Sequence, residues 1–173
     1  MNQVFIPFGT PREIYIKVRW LFNLALFQSR LARMLGSPES PYDFNEVCKW
    51  MCLKDWKYQN TEDINLKRII GAEEGGLEFD RIFRPKYPES LREDWERWAI
   101  GIHMGMKIPT LEIYQWGEAY FIQDRLSGIL VSVLRALGYR TIQAHILGPN
   151  YSEVPPPTIE LLDSWERGVN VRI

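Results

Sequence analysis

The stretch YFIQDRLSGILVSVLRALGYRTIQAHI, residues 120–146, decides the fold of this 173-residue chain. Its beginning and the preceding TLEIYQW predict a β hairpin that turns at QWGE, residues 115–118. LSGILVSVLRALG then predicts a helix with Gly138 just beyond its C-terminus, and YRTIQAHIL predicts another strand. Because the backbone N–H groups at a helix N-terminus can bind phosphate, the start of this helix is a candidate phosphate-binding loop.

Composition and charge limit what the chain can do. Hydrophobic residues make up 46% of the sequence and aromatic residues 13%, which excludes a disordered chain. The 21 basic and 22 acidic residues give a net charge of −1, so no global field attracts the chain to nucleic acid or to an anionic membrane. Any such attraction has to be local.

The cysteines and the start of the sequence predict a cytoplasmic protein. Cys48 and Cys52 are one helical turn apart, but His103 and His145 are isolated, so we expect core packing and no metal site. MNQVFIPFGTPRE lacks the pattern of a signal peptide. No apolar run reaches the ~20 residues that a membrane span requires, and we expect no membrane span.

Residues 12–36 predict a long N-terminal helix that is closed by Gly36. At ~100° per residue, one narrow stripe collects its arginines, while apolar residues cover most of the remaining circumference. One interpretation is a helix packed on the domain with solvated arginines. The other is a face for a protein partner, nucleic acid or a membrane, formed by Arg12, Arg19, Arg30 and Arg33.

The middle of the chain predicts short elements separated by polar segments. Asp43 and Glu46 form a capping-box pattern that begins a short helix. KYQNTED, residues 57–63, is predicted to be a linker, and INLKRII, residues 64–70, a strand. EFDRIFRPKYP predicts a turn or short helical segment, after which Ser90 is the predicted N-cap of another helix.

This order of elements predicts an α+β fold with a small mixed sheet and packed helices, preceded by the long N-terminal helix. The predicted organisation is an N-terminal helical region over residues 1–60, a compact domain over 61–148 and a tail over 149–173. The tail contains three consecutive prolines, which act as a stiff spacer.

From about Asn45 to His145 the chain resembles the ParB/sulfiredoxin superfamily, in particular bacterial ParB-like nuclease-domain proteins with a helical N-terminal part. Several segments agree in order and spacing: INLKRIIGAEE, EFDRIFRP, LREDWERW, KIPTLEIYQWGEAYFIQD and VSVLRALGYRTIQAHI. The resemblance implies a ParB/sulfiredoxin-like fold. It also implies a frame that other members use for phosphate-bearing ligands, including ATP and CTP.

The phosphate-binding loop of that family, of the type D-G-x-H-R, is degenerate here. Asp124 takes the acidic position. Counting forward from YFIQD or back from VSVLRALG does not recover both the histidine and the arginine, and the loop is longer than that of the family. The remaining candidates for weak phosphate binding are Asp124, Arg125, Ser127 and Gly128. A helix start with one nearby cation contributes ~1–2 kcal/mol toward an anion, whereas micromolar affinity requires about 8 kcal/mol. The simpler interpretation is a capped helix start.

Three other groups have two interpretations each. Asp80, Arg81 and Arg84 match a family segment near the cleft and are either cleft residues or a surface ion pair. Glu73 and Glu74 are either metal ligands or a solvated loop tip. The tryptophans are either stacking platforms for bases or core residues, and we favour the core for Trp95, Trp98 and Trp116.

The sequence therefore predicts a non-catalytic domain that acts as a protein-interaction or structural subunit, with a protein partner or a second copy of itself. We assign no catalytic residue. One alternative is a nucleotide-binding enzyme or switch that uses ATP or CTP with Mg²⁺ at a rebuilt Asp124–Gly128 loop. Another is a nucleic-acid-associated regulator that uses the arginine stripe.

Overall fold

A computed structural model describes residues 11–36, 56–72, 78–80, 82–122, 124–149 and 158–160. Within these ranges the chain is α+β, with a mixed sheet of five strands and three α helices. The helices are α1 (Pro11–Met34), α2 (Pro88–His103) and α3 (Arg125–Ala136). The strands are β1 (Trp56–Asn65), β2 (Ile69–Ala72), β3 (Leu111–Trp116), β4 (Ala119–Ile122) and β5 (Thr141–Pro149).

The sheet has the order β1-β5-β3-β4-β2. β5 runs antiparallel to β1 and parallel to β3, β3 and β4 form an antiparallel hairpin, and β2 is parallel to β4. The hairpin confirms the turn predicted at residues 115–118, since Trp116 pairs with Ala119. Gly117 has a φ of 59° in this turn, a conformation that glycine adopts without strain.

One face of the sheet packs against the helices and forms one side of the hydrophobic core. Ile113, Ile142, Ala144 and Ile146 are buried in a single apolar cluster with residues of the helices, while the alternating Glu112, Gln143 and His145 are exposed. α3 lies in the centre of the molecule, and all eight residues from Ser127 to Leu134 are buried. Its end agrees with the prediction, because Gly138 follows it with a φ of 86°.

α1 and α2 pack against each other over the core. The rings of Phe22 and Trp95 meet edge to face at 5.3 Å, and the guanidinium of Arg92 lies 4.7 Å from the centroid of the Phe22 ring. The indole Nε1 of Trp95 also donates a hydrogen bond of 3.0 Å to the Ser132 hydroxyl on α3. Each fully buried aromatic side chain contributes roughly 2–3 kcal/mol, so these residues fix the inner face of α1.

The prediction for residues 57–70 is wrong in detail. The predicted linker is most of β1, and the predicted strand over 64–70 is divided by a 3₁₀ turn at Leu66–Arg68. β1 gave no alternating signal because nearly all of its side chains are exposed, with Ile64 buried. Its position at the sheet edge depends on backbone pairing with β5, which side-chain patterns do not report.

The predicted N-cap of α2 is also wrong. The helix begins at Pro88, after Tyr87, whose side chain makes no capping hydrogen bond, and Ser90 lies inside the first turn. Proline at the first helical position has a suitable fixed φ and needs no hydrogen-bond acceptor. Pro88, and not Ser90, therefore determines where α2 begins.

Candidate functional site

The N-terminus of α3 is the place where the sequence predicted weak phosphate binding. Asp124 is the N-cap, and its Oδ1 accepts a hydrogen bond of 2.8 Å from the backbone N–H of Ser127. Its Oδ2 accepts a second bond of 2.6 Å from the Ser127 hydroxyl. The carboxylate of Asp124 therefore occupies two donors at this helix start, the backbone N–H and the hydroxyl of Ser127, as in an ordinary capped helix start.

Arg125, the cation beside this helix start, is held by carboxylates of the same chain. Its Nε donates to Glu78 at 2.6 Å, Nη1 to Asp94 at 3.1 Å, and Nη2 to the backbone carbonyl of Ser90 at 2.6 Å. The hydrogen bond to Glu78 is the largest cause that raises the pKa of Arg125, with Asp94 adding to it and partial burial opposing it. The guanidinium thus joins three segments of the chain.

Gly128 serves packing at this position. A Cβ atom there would lie 3.3 Å from Cε2 of Phe79 and 3.9 Å from Cδ1 of Ile122. Such a contact is tight, so the glycine lets α3 approach the segment that contains Phe79. Asp124, Arg125, Ser127 and Gly128 do lie together, but each has a role inside the protein.

The turn that contains Asp80 and Arg84 is similarly self-contained. Asp80 Oδ1 accepts from the backbone N–H groups of Ile82 and Arg84 at 3.1 and 2.9 Å, and Oδ2 accepts from Arg84 Nε at 2.6 Å. These bonds support Phe83, which has a φ of 63°, an uncommon value for a residue other than glycine. Arg81 lies outside the described residues.

A cavity of about 290 Å³ lies between α1, this turn and α3. Its apolar lining comes mainly from Leu21, Leu24 and Ala25 of α1 and from Phe83. Its polar lining consists of Gln28, Arg84, Ser132 and Arg135. Of these, the sequence identified only Arg84 as a cleft candidate, because the cavity is formed by three separate segments and has no local motif.

The outer face of α1 exposes large apolar side chains. The exposed fraction is 57% for Ile16, 60% for Trp20, 53% for Phe27 and 83% for Met34. At 100° per residue these four lie within about 40° of one another, along roughly 27 Å of helix. We call Ile16, Trp20, Phe27 and Met34 the apolar stripe of α1.

The predicted arginine stripe borders the apolar stripe, and Arg12, Arg19, Arg30 and Arg33 are all exposed. Arg19 lies 5.8 Å from the centroid of the Tyr15 ring, and Arg33 lies 5.9 Å from that of Tyr87. α1 contains five cationic side chains and a single carboxylate, Glu13. The exposed surface of the helix is therefore both apolar and basic.

The sequence did not predict the polar cluster of Tyr58, Thr61 and His145 on the exposed face of the sheet. His145 Nδ1 lies 2.6 Å from the Thr61 hydroxyl, which lies 2.9 Å from the hydroxyl of Tyr58. The sequence gave no signal for this cluster because Thr61 and His145 are 84 residues apart and meet only through the pairing of β1 with β5.

The remaining sequence candidates fall into two groups. Trp95 and Trp116 are buried, which confirms the core interpretation for both, and Trp98 is half-buried against the core. His103 is buried at the end of α2, where burial, with a smaller contribution from Lys17, lowers its pKa. The other group lies outside the described residues and consists of Cys48, Cys52, Glu73, Glu74 and the predicted capping box of Asp43.

Comparisons of the chain with protein families, curated proteins and solved structures found no match. Within the described ranges, no helix combines the length and the apolar character needed to cross a bilayer. The same residues contain no group of three or more His, Cys, Asp or Glu side chains arranged to bind a metal ion.

Proposed function

We propose that this chain is a non-catalytic interaction module with a ParB/sulfiredoxin-like, degenerate phosphate site, and that it binds a protein partner through the outer face of α1. The observation that carries the proposal is the apolar stripe of Ile16, Trp20, Phe27 and Met34, each more than half exposed. Contiguous exposed apolar surface on a folded domain is a common mark of an interaction site. The cytoplasmic location predicted from the sequence belongs to the same proposal.

The geometry at α3 supports the non-catalytic part. A phosphate at this helix start would meet the carboxylate of Asp124, which already accepts from Ser127. It would also compete with Glu78 and Asp94 for Arg125. The attraction of a helix N-terminus for an anion is about 0.3–1 kcal/mol at an exposed site, which is too little to replace these bonds.

The charge of α1 identifies the kind of partner. Exposed arginines beside an apolar stripe complement an amphipathic helix that carries Asp or Glu on the edges of its apolar face. A second copy of α1 would present another basic surface, since Glu13 is its single carboxylate. We therefore propose an acidic amphipathic helix of another protein, with aromatic anchors supplied by Trp20 and Phe27.

Site-specific photo-crosslinking tests this directly. A photoreactive phenylalanine analogue at position 20 or 27 should give one discrete protein adduct in the native host, and the same analogue at Arg97, an exposed position on α2, should give none. The adduct should disappear when Phe27→Glu is combined with the analogue at position 20. Crosslinking to a second copy, to lipid or to nothing would contradict the proposal.

A nucleic-acid role is the second candidate, and the exposure of Arg12, Arg19, Arg30 and Arg33 favours it. Phosphate contacts by arginine release counterions, so affinity for DNA or RNA would fall steeply between low and physiological salt. Fluorescence anisotropy with a labelled duplex and a labelled single strand decides the point. A binding signal that Arg19→Gln with Arg30→Gln removes would support this role, and no binding at low salt would end it.

A further inference from the structure

We propose that the cavity between α1, the turn at Phe83 and α3 binds a small uncharged carbonyl compound with an apolar body. Its volume of about 290 Å³ corresponds to about ten water molecules, which is room for a molecule with a single ring. This volume lies at the lower end of the range for small-molecule pockets. The site is separate from the α3 N-terminus and from the exposed face of α1, and it does not depend on the proposed function.

The hydroxyl of Ser132 is the buried hydrogen-bond donor of this cavity. Ser132 lines the cavity from α3 and is only 3% exposed. Its oxygen accepts the indole N–H of Trp95 at 3.0 Å, which fixes the position of the hydroxyl. Within the part of the chain that the structure describes, the hydroxyl hydrogen has no acceptor. A buried donor without an acceptor costs free energy, and a ligand oxygen that accepts from it removes that cost.

Gln28 adds a second polar group on the α1 side of the cavity. Its side chain is half-buried and makes no hydrogen bond among the described residues. A carboxamide has two N–H donors and an acceptor oxygen, so it can donate to a ligand carbonyl and accept from a ligand amide. Together with the donor of Ser132, this amide selects a ligand that carries a carbonyl group, and a primary amide in particular.

The charged side chains of the lining favour a ligand without charge. Arg84 forms an ion pair with Asp80 at 2.6 Å, and Arg135 donates to the backbone carbonyl of Leu66 at 3.2 Å. Both arginines are thus engaged within the chain, and we assign no ligand contact to either. A charged ligand would lose its hydration on entering and would have to displace one of these bonds to find a partner. An uncharged carbonyl compound avoids that cost.

The remaining lining is apolar and determines the body of the ligand. It combines side chains of α1, of the turn and of the end of α3, namely Leu21, Leu24, Ala25, Ile82, Phe83 and Ala136. The backbone N–H of Phe83 donates to the carbonyl of Asp80 at 3.0 Å, so the turn holds this wall in place before a ligand arrives. A preformed wall lowers the entropy that is lost on binding. An aryl or branched alkyl group is the complementary body.

A series of isosteric aryl probes tests the proposal by two-dimensional NMR titration of the full chain. Benzamide presents the uncharged carbonyl group, whereas benzoate and benzamidinium carry charges of opposite sign. Benzamide should bind and shift signals of the cavity lining, and both charged probes should bind at least about tenfold more weakly. Absence of benzamide binding, or equal or tighter binding of either charged probe, would overturn the proposal.

Isopropylbenzene, which has the same shape but no polar group, isolates the hydrogen bonds. Ser132→Ala should weaken benzamide binding about fivefold to tenfold and change isopropylbenzene binding by less than about twofold. The comparison is made within one variant, so a general loss of stability from the missing acceptor of Trp95 does not produce the difference. Gln28→Leu should show the same selective loss, and it keeps the test valid if Ser132→Ala does not fold. An equal loss of both probes, or no loss of benzamide binding, would contradict the assigned donors.

Two further variants locate the site. Ala25→Met places additional atoms in the cavity and should abolish the binding of benzamide and of isopropylbenzene. Arg97→Gln on α2, an exposed position away from the cavity lining, is the control and should leave both affinities unchanged. The melting curve of each variant without probe establishes that it is folded. Undiminished benzamide binding in folded Ala25→Met would place the ligand elsewhere and overturn the assignment of the cavity.

Discussion

Two arginine-containing helix surfaces of this molecule have opposite character. At the start of α3, Arg125 is bound to Glu78 and Asp94, and Asp124 caps the helix. On the outer face of α1, arginines lie exposed beside Trp20 and Phe27, which are more than half exposed themselves. The first surface is satisfied by the chain itself, whereas the second presents the residue types that protein partners use. A residue that suits a ligand is informative only when the fold leaves it available.

The largest expected effect separates the outer face of α1 from its inner face. Phe22 and Phe27 are the same residue type on one helix, but Phe22 is fully buried against Trp95 and Phe27 is exposed. Phe22→Ala should lower the free energy of unfolding by about 3–5 kcal/mol, because it leaves a cavity in the core. Phe27→Ala should change it by less than about 0.5 kcal/mol. Denaturant unfolding of both variants measures the difference.

The outcome for Phe27 decides how the outer face is used. A loss of several kcal/mol in Phe27→Ala would mean that the chain itself covers the apolar stripe, and the proposed partner surface would then be wrong. Trp20→Ala provides an independent check at a second exposed position.

The next effect concerns the ion pairs of α3. Arg125→Ala removes hydrogen bonds to Glu78, Asp94 and the Ser90 carbonyl, and it leaves Glu78, whose side chain is mostly buried, without this partner. Because Arg125 itself is one-third exposed, we expect a cost of about 1–2 kcal/mol rather than that of a fully buried pair.

Arg97→Ala is the comparison for Arg125. Arg97 pairs with Glu93 at 2.8 Å, but both side chains are largely exposed, so its loss should cost about 0–0.5 kcal/mol. Equal costs for the two variants in urea unfolding would show that Arg125 is no more engaged than a surface arginine. The explanation for the lost phosphate site would then need revision.

A smaller effect is expected at the cap of α3. Asp124→Ala removes the acceptor for Ser127 and should cost about 1 kcal/mol, whereas Asp124→Asn keeps a capping oxygen and should cost less. Neither variant should acquire a thermal shift with ATP or CTP in the presence of Mg²⁺. A nucleotide-dependent rise of Tm in the unaltered chain, and its loss in Asp124→Ala, would instead establish the switch that the sequence offered as an alternative.

The sequence predicted elements whose signals are local. The hairpin between β3 and β4 and the end of α3 at Gly138 follow from turn and cap residues a few positions apart. β1 was not predicted because it is held by pairing with β5, some 80 residues away in the chain, and nearly all of its own side chains are exposed. Backbone pairing at a sheet edge leaves little trace in composition.

The candidate site illustrates the same limit. The sequence identified Asp124, Arg125, Ser127 and Gly128 correctly as neighbours at a helix start, but it gave no indication of what Arg125 contacts. Its partners lie 47 and 31 residues away along the chain. The cavity depends on how α1, the turn at Phe83 and α3 come together, so no single stretch of sequence predicts it.

The smallest expected effect tests the contact between α1 and the end of α2 by pH. Burial, with help from Lys17 on α1, lowers the pKa of His103 below its ordinary value of 6.5. In the unfolded chain the pKa is near that value, so below about pH 6.5 the unfolded state holds more protons than the folded state. Stability should therefore fall as the pH decreases through this range, with a slope that is a fraction of about 1.4 kcal/mol per pH unit.

Urea unfolding between about pH 7.5 and pH 5 measures this slope. The slope should become shallower in His103→Gln, where no imidazole is buried, and it should persist in His145→Gln, which removes an exposed histidine. Lys17→Gln should reduce it slightly, because the cation on α1 is the smaller of the two causes. If His103→Gln kept the full slope, α1 and α2 would not enclose His103 as tightly as the packing of Phe22 on Trp95 indicates. The assignment of a tightly packed inner face to α1 would then be wrong.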